Sequence, residues 1–212
     1  MAGLRSSAVS SEPEGTQSSR QRLLDAGKTL FARHGFEQTP TASIAREAGT
    51  SESQLVRYFQ SKAGLLEAIF NESWQSLNHD IQQAVVAAPD AREALGNVLE
   101  TVTRCFGEDP DLAHLLLFEG RRIRGGTQEV RVSKGFLEFE NLLRVLIHRG
   151  KRDGTISGAL NDNATASALL GATEAMIRDR LMAQRGGKEM PYANEDVRAV
   201  FFAFLDGVSA KK

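Results

Sequence analysis

Residues 39–62 constrain the fold of this chain more than any other stretch, because TPTASIAREAGTSESQLVRYFQSK has the pattern of two short helices separated by a tight turn. Thr41 is placed to cap the first helix, and Gly49 supplies the left-handed residue that ends it. Ser51 opens the second helix, with Gln54 three residues on to complete a capping box. Two helices joined by a short turn that contains glycine form a helix-turn-helix, which presents its second helix to the major groove of DNA.

Each of these two predicted helices has one apolar side. In the first helix this side consists of Ala42, Ile44, Ala45 and Ala48, and in the second of Leu55, Tyr58 and Phe59. A preceding helix, capped by Ser18 or Ser19 and ended by Gly35, carries its own apolar stripe and is expected to support both.

The run IAREAGTS, from Ile44 to Ser51, is followed at fixed spacing by Leu55, Tyr58, Phe59, Ser61 and Lys62. Together these residues resemble the signature of the TetR family of bacterial repressors. Two positions depart from the family pattern. Ser53 stands where the family mostly has Gly or Ala, and Val56 stands where it mostly has a tyrosine that touches a phosphate. Because Val56 has no hydroxyl group, that contact does not transfer to it.

The resemblance implies an all-α fold of nine helices. The expected divisions are a disordered tail over residues 1–17, a DNA-binding domain over 18–64 and an effector-binding and dimerisation domain over 65–212. The pattern of apolar residues agrees, since it remains helical after Asp90 and shows no strand alternation. A long helix that starts after Lys62 is expected to join the two domains.

Composition indicates an ordinary globular protein, with 41% hydrophobic and 25% charged residues. No apolar run approaches the roughly 18 residues of a membrane span, and the N-terminus lacks the order of a signal peptide, so a cytoplasmic location is expected. The single cysteine, Cys105, cannot form an internal disulfide.

The charge distribution is more informative than the net charge of -1. From Ser18 to Lys62 there are seven basic residues and four acidic ones, so the remainder of the chain is more acidic. The attraction for phosphate is therefore expected on the part that contains the helix-turn-helix.

The sequence offers little to support an enzyme. It contains no GxSxG, phosphate loop, HExxH or CxxC motif, and its four histidines lie far apart. We therefore expect no catalytic residues, no metal site and no cofactor. A helical small-molecule-binding or interaction protein that no longer binds DNA is the remaining alternative.

In the second helix of the motif, Gln54 and Arg57 have side chains that read base edges or bind phosphates, while Glu52 and Ser53 occupy its exposed first turn. The resemblance implies that Thr39, Thr41 and Lys62 hold the DNA backbone. Tyr58 is open to two interpretations, a backbone contact or inward packing. The full expected DNA-contact set is Thr39, Thr41, Arg46, Ser51, Glu52, Ser53, Gln54, Arg57, Tyr58 and Lys62.

The last two predicted helices carry an apolar surplus. Small residues on the first of them allow close helix approach, and the second has Phe202 in addition to a complete apolar stripe. A four-helix interface between two chains, bound to a palindromic DNA site, would use this surplus, although a role within one chain remains open for Ala172 and Phe202. The expected interface residues are Ala168, Gly171, Ala172, Ala175, Phe201, Phe202 and Leu205.

The middle helices supply aromatic and aliphatic stripes that either surround an effector cavity or form a solid core. Three arginines follow the stripe that ends at Phe118, and they favour an apolar effector with an anionic end, such as a fatty acid or an acyl-CoA. Solvated arginines paired with Glu119 or Glu129 are the alternative. The expected pocket residues are Val98, Val102, Phe106, Leu112, Leu116, Arg121, Arg122, Phe139, Leu143 and Met176.

Overall fold

The computed structural model describes residues 17–119, 123–124, 130–131 and 133–209. These residues form nine α-helices, a π-helical turn (Leu115–Glu119) that continues the sixth helix, and two short strands. The helices are α1 (Ser19–His34), α2 (Thr41–Glu47), α3 (Glu52–Phe59), α4 (Lys62–Val86), α5 (Ala91–Glu108), α6 (Pro110–His114), α7 (Lys134–Asp153), α8 (Asp162–Arg185) and α9 (Asn194–Gly207). The expected all-α fold is confirmed.

The two strands, β1 (Ile123–Arg124) and β2 (Val130–Arg131), pair antiparallel between the π-helical turn and α7. Sequence reasoning did not anticipate them, because two residues per strand are too few to show an alternating pattern. The residues expected to form a mobile N-terminal tail lie outside the described part of the chain, apart from Gln17.

Most helix starts follow the side-chain capping rule. Ser18, Ser51, Ser61, Asp90, Ser133 and Asn161 each accept a hydrogen bond from a backbone N–H in the first turn of the helix that follows. Two expected caps were wrong by one position, because Thr41 and Asn194 are the first residues inside α2 and α9. In α9, the Asp196 carboxylate accepts from the Ala193 N–H at 2.8 Å instead.

Helix α4 joins the N-terminal helices to the C-terminal part. Near its start, Leu65 packs so closely on Gly27 of α1 that a Cβ atom there would lie 2.9 Å from Leu65 Cδ2. Further along, Trp74 packs against Gly135 in α7, where a Cβ would lie 2.3 Å from that of Trp74. The expected boundary after residue 64 therefore falls in the first turn of a helix that contacts both parts, and one continuous apolar core runs along it.

Among the described residues, no helix is long and apolar enough to cross a membrane.

Candidate DNA-binding surface and ligand cavity

Helices α2 and α3 meet at a turn in which Gly49 adopts the left-handed conformation, with φ of 58°. Ser51 Oγ accepts from the Gln54 N–H at 3.3 Å and lies 2.8 Å from Ser53 Oγ, which fixes the first turn of α3. Ile44 and Leu55 are completely buried between these helices and α1. The segment therefore has the geometry of a helix-turn-helix, as predicted.

The outer side of α3 is formed by Glu52, Ser53, Val56 and Arg57, all of which are exposed or partly exposed. Tyr58 is also 36% exposed, so of its two interpretations inward packing is not observed, and the backbone contact stays a prediction. Leu55 and Phe59, one turn apart, already occupy the inner side. Tyr58 instead accepts a hydrogen bond from Arg57 Nη2 at 3.0 Å, and the Arg57 guanidinium lies 4.9 Å from the centre of its ring.

Thr39 and Lys62, which were expected to contact the DNA backbone, form hydrogen bonds within the chain. Thr39 is only 2% exposed, and its hydroxyl donates to the Gly35 carbonyl at 2.7 Å. Lys62 Nζ donates to the carbonyls of Phe36, Glu37 and Thr39 at 2.8, 3.3 and 3.1 Å. An ammonium group has three N–H donors, and here all three hold the loop between α1 and α2.

Lys62→Met is therefore expected to lower stability rather than to change phosphate binding. The substitution keeps much of the aliphatic stem and removes charge-assisted hydrogen bonds, for an expected loss of about 1.5–3 kcal/mol in the free energy of unfolding. Urea denaturation measures this loss. Lys188→Met, at an exposed position after α8, is the control and should unfold like the wild type. A stable Lys62→Met protein with a reduced salt dependence of DNA binding would contradict this role.

Two further predicted contact residues, Thr41 and Arg46, lie at the surface, and hydrogen bonds from neighbouring residues hold their helices in place. Thr41 Oγ1 donates to Glu52 Oε2 at 2.5 Å, which links the first turns of α2 and α3. Arg22 of α1 donates through Nε to the Ala48 carbonyl at 2.9 Å, which fixes the end of α2. Arg46 is exposed on α2. These contacts position the two helices as one rigid unit on α1.

A cavity of about 70 Å³ lies between α4, α5, α7 and α8. Six of the predicted pocket residues line it, namely Val98, Val102, Phe106, Leu116, Phe139 and Leu143. Leu112 lines a separate cleft beside α1, and Met176 packs elsewhere on the core. Arg121 and Arg122 of the proposed arginine cluster lie outside the described residues.

Sequence reasoning missed the contributions of α4 and α8 to this cavity. They are Trp74, Leu77, Leu169, Leu170, Thr173, Glu174 and Ile177. The signal was present in α8, where Leu169, Leu170, Thr173 and Ile177 recur at helical spacing on the side opposite the small residues. Apart from Met176, the prediction for α8 concerns its small residues, so this second stripe is not assigned there.

The cavity wall is apolar except at three places. Glu174 is only 6% exposed, and Arg178 Nη2 donates to its carboxylate at 2.6 Å. Thr173 Oγ1 donates to the Leu169 carbonyl at 2.8 Å. The indole Nε1 of Trp74 is buried and has no hydrogen-bond partner among the described residues.

Residues 23–69 match the family model of bacterial regulatory proteins, tetR family. The match covers most of α1, all of α2 and α3, and the start of α4, which are the elements that form the surface described above. This chain belongs to the TetR family. It is a DNA-binding transcriptional regulator.

Comparison over longer ranges supports the assignment. This TetR-family chain is 27% identical over 183 residues to the nucleoid occlusion factor SlmA of Vibrio cholerae, a match that covers 84% of this chain and 90% of that protein. Its fold is similar to that of the fatty acid degradation regulator FadR of Bacillus halodurans, with a TM-score of 0.79, 21% identity and coverage of 93% and 100%. FadR of Bacillus subtilis in complex with stearoyl-CoA gives a TM-score of 0.75, 20% identity and coverage of 89% and 97%.

The outer face of α8 and α9 in this TetR-family protein consists of small apolar residues. Ala168, Gly171, Ala172 and Ala175 are exposed on α8, and Ala199, Val200 and Ala203 are exposed on α9. Phe201 and Leu205, which were also expected at a dimer interface, are 7% and 2% exposed and belong to the core of one chain. Helix α9 has two apolar stripes, an inner one that faces α5 and α8 and an outer one. Phe201 and Leu205 belong to the inner stripe.

Phe202 makes contacts within the chain. Its ring packs on Gly96 of α5, where a Cβ atom would lie 2.7 Å from Phe202 Cζ. The guanidinium groups of Arg92 and Arg198 lie 4.7 and 5.0 Å from the ring centre. The packing within one chain that the sequence left open for Phe202 is therefore observed. Its ring does not simply project outward toward a partner chain.

Charged side chains link α1 of the helix-turn-helix unit to the C-terminal part of the regulator. Lys28 of α1 forms an ion pair with Asp109, which is the N-cap of α6. Arg185, at the end of α8, donates to the Ala32 carbonyl at 2.7 Å and to Asp111 at 2.8 Å. A movement of α6 or α8 therefore acts directly on α1, which supports α2 and α3.

Proposed function

We propose that this protein is a homodimeric repressor that binds a palindromic operator and is released by a long-chain apolar effector, such as an acyl-CoA, that enters the cavity between α4, α5, α7 and α8. The observation that carries the proposal is this apolar cavity, whose walls include helix α4 that also packs on the DNA-binding unit. Stearoyl-CoA bound to the Bacillus subtilis relative of similar fold supports the choice of effector. As a DNA-binding repressor, it would act in the cytoplasm.

On the DNA side, we assign sequence reading to the exposed face of α3. Gln54 and Arg57 have the donors and acceptors that pair with base edges in the major groove. Arg46 on α2 is assigned to the phosphates, together with the backbone N–H groups at the first turns of α2 and α3. Glu52 carries a negative charge, which phosphate would repel. Because it accepts a hydrogen bond from Thr41, we assign it to positioning the two helices at their junction.

The proposed dimer interface is the small-residue face of α8 and α9. Small side chains let helices from two chains approach closely, and two helices from each chain form a four-helix bundle around a twofold axis. TetR-family regulators bind DNA as homodimers. A twofold dimer places its two recognition helices against equivalent half-sites, which predicts a palindromic operator.

The size of the cavity bears on the mechanism of release. At about 70 Å³ it is smaller than the roughly 300–1,000 Å³ of typical ligand sites. A long acyl chain therefore fits only if the surrounding helices move apart. Because Arg185 and Lys28 tie α8 and α6 to α1, such an expansion is transmitted to the DNA-binding unit. An effector that prefers the expanded state then lowers operator affinity by linkage.

A second candidate function follows from the similarity to the nucleoid occlusion factor of Vibrio cholerae. If this protein acted as a nucleoid occlusion factor, it would bind DNA at its sites whether or not an acyl-CoA is present. The alternative in which the helix-turn-helix has lost DNA binding would give no operator complex at all. The cavity favours the effector-controlled repressor over the nucleoid occlusion factor, and the exposed Arg46 and Arg57 of the helix-turn-helix favour it over a loss of DNA binding.

The test is release of operator DNA by stearoyl-CoA, followed by fluorescence anisotropy. Stearoyl-CoA should release the wild type, whereas free coenzyme A should not. Val102→Trp fills the cavity and should remain on DNA in the presence of stearoyl-CoA. The matched control is Val86→Trp at an 80% exposed position of α4, which should behave like the wild type. If stearoyl-CoA left the wild type on DNA, or released Val102→Trp equally well, the proposal would be wrong.

A further inference from the structure

Trp74 is an unusual residue in the wall of the cavity, because it carries a buried donor without a partner. Its side chain is 5% exposed and packs edge-to-face on Phe136, with ring centres 5.5 Å apart. An indole N–H is a donor only, and a buried tryptophan ordinarily finds an acceptor for it. Among the described residues Trp74 Nε1 has none, so this residue of the cavity wall carries a buried donor that a group entering an expanded cavity can satisfy.

Glu174 sets the charge of the same cavity. It is the ionisable residue of the described wall, and its carboxylate is held by Arg178, which lies outside that wall. A second carboxylate brought into this apolar space would lose its hydration without gaining a positive partner, because Arg178 is already paired with Glu174, and it would also meet the Glu174 carboxylate. The wall therefore disfavours an anion inside the cavity while leaving an uncharged polar group acceptable.

We propose that the part of the effector that enters the cavity is a long aliphatic chain whose polar group is uncharged and carries an oxygen that accepts a hydrogen bond from Trp74 Nε1. Ester, thioester and hydroxyl oxygens share this chemistry, whereas a free carboxylate is excluded by Glu174. The inference rests on the proposed function only in taking this cavity as the effector site. It makes Trp74 and Glu174 the residues that determine specificity.

The test uses three probes with the same twelve-carbon chain: 1-dodecanol, methyl dodecanoate and sodium dodecanoate. Trp74 is the single tryptophan of the chain, so its fluorescence reports binding to the full-length protein directly. The alcohol and the ester should bind at least tenfold more tightly than the carboxylate. This result needs no DNA and is independent of the release experiment above.

Two variants separate the two roles, and calorimetry measures both. Glu174→Gln should tighten dodecanoate binding about tenfold with little change for the alcohol, because it removes the charge and keeps the shape. Trp74→Phe should weaken the alcohol and the ester about tenfold, because it removes the donor. Phe136→Leu, in the same wall, is the control and should change all three affinities alike.

The outcomes distinguish this inference from the proposed function. Equal binding of dodecanoate and dodecanol by the wild type, no binding of any probe, or an unchanged preference in both variants would each overturn it. If the probes behaved as expected and stearoyl-CoA still failed to release DNA, the proposed function would fail and the inference would stand. If stearoyl-CoA released DNA and the probes did not bind, the inference would fail and the proposed function would stand.

Discussion

Replacing Ala172 with glutamate is expected to separate the dimer and to abolish tight operator binding. Ala172 is exposed on α8 within a face of small residues. At the proposed twofold interface the new carboxylate would be buried in both chains. An unpaired buried charge costs about 3–5 kcal/mol, which weakens dimerisation more than a hundredfold. A monomer carries one recognition helix and so loses half of its contacts with a palindromic site.

Sedimentation velocity measures the dimer, and anisotropy with labelled operator measures the DNA affinity. Ala159→Glu places the same charge at an exposed position between α7 and α8 and is the matched control. It should stay dimeric and bind DNA normally. If the Ala172→Glu protein were still a dimer, the interface could not lie on this face of α8.

Replacing Gln54 with alanine is expected to relax the base preference at one position of each half-site. Gln54 lies in the first half of α3, which the contacts of Ser51 and Ser53 fix in place. Loss of a good pair to a base edge costs about 1–3 kcal/mol of discrimination, and a twofold complex contains it twice. Binding constants for operators altered one base pair at a time measure the effect.

Arg46→Ala should impair DNA binding in a different way from Gln54→Ala. A side chain that binds phosphate positions the protein without reading sequence, so its loss weakens all operators alike and reduces the salt dependence of binding. Arg152→Ala, at an exposed position near the end of α7, should change neither property. If Gln54→Ala and Arg46→Ala behaved identically in a salt titration with altered operators, the assignment of roles would be incorrect.

Much of the helix-turn-helix could be predicted from sequence because its signals are local. Gly49 ends α2 and Ser51 caps α3 through residues within one helical turn. Burial of Leu55 and Phe59 follows from their spacing alone. Such features depend on nearby residues, and they are the ones that the structure confirms in detail.

Roles that depend on distant contacts were beyond the sequence. Lys62 has the same charge whether it binds a phosphate or the carbonyl of Phe36, which lies 26 residues away in the chain. Leu205 and Ala203 both belong to an apolar helix, and only the packing of α9 shows that the first is buried and the second exposed. Glu174 interrupts an apolar stripe and is ordinarily read as a solvated residue, yet the structure buries it in the cavity wall.

Selection of DNA from a random pool by the full-length protein, followed by sequencing, tests the central claim most directly, because the operator need not be identified beforehand. A homodimer with one recognition helix per chain should enrich an inverted repeat whose half-sites are about one helical turn or more apart. Addition of stearoyl-CoA should then prevent recovery of that sequence. Enrichment of no sequence, or recovery unchanged by the acyl-CoA, would contradict an effector-controlled DNA-binding repressor.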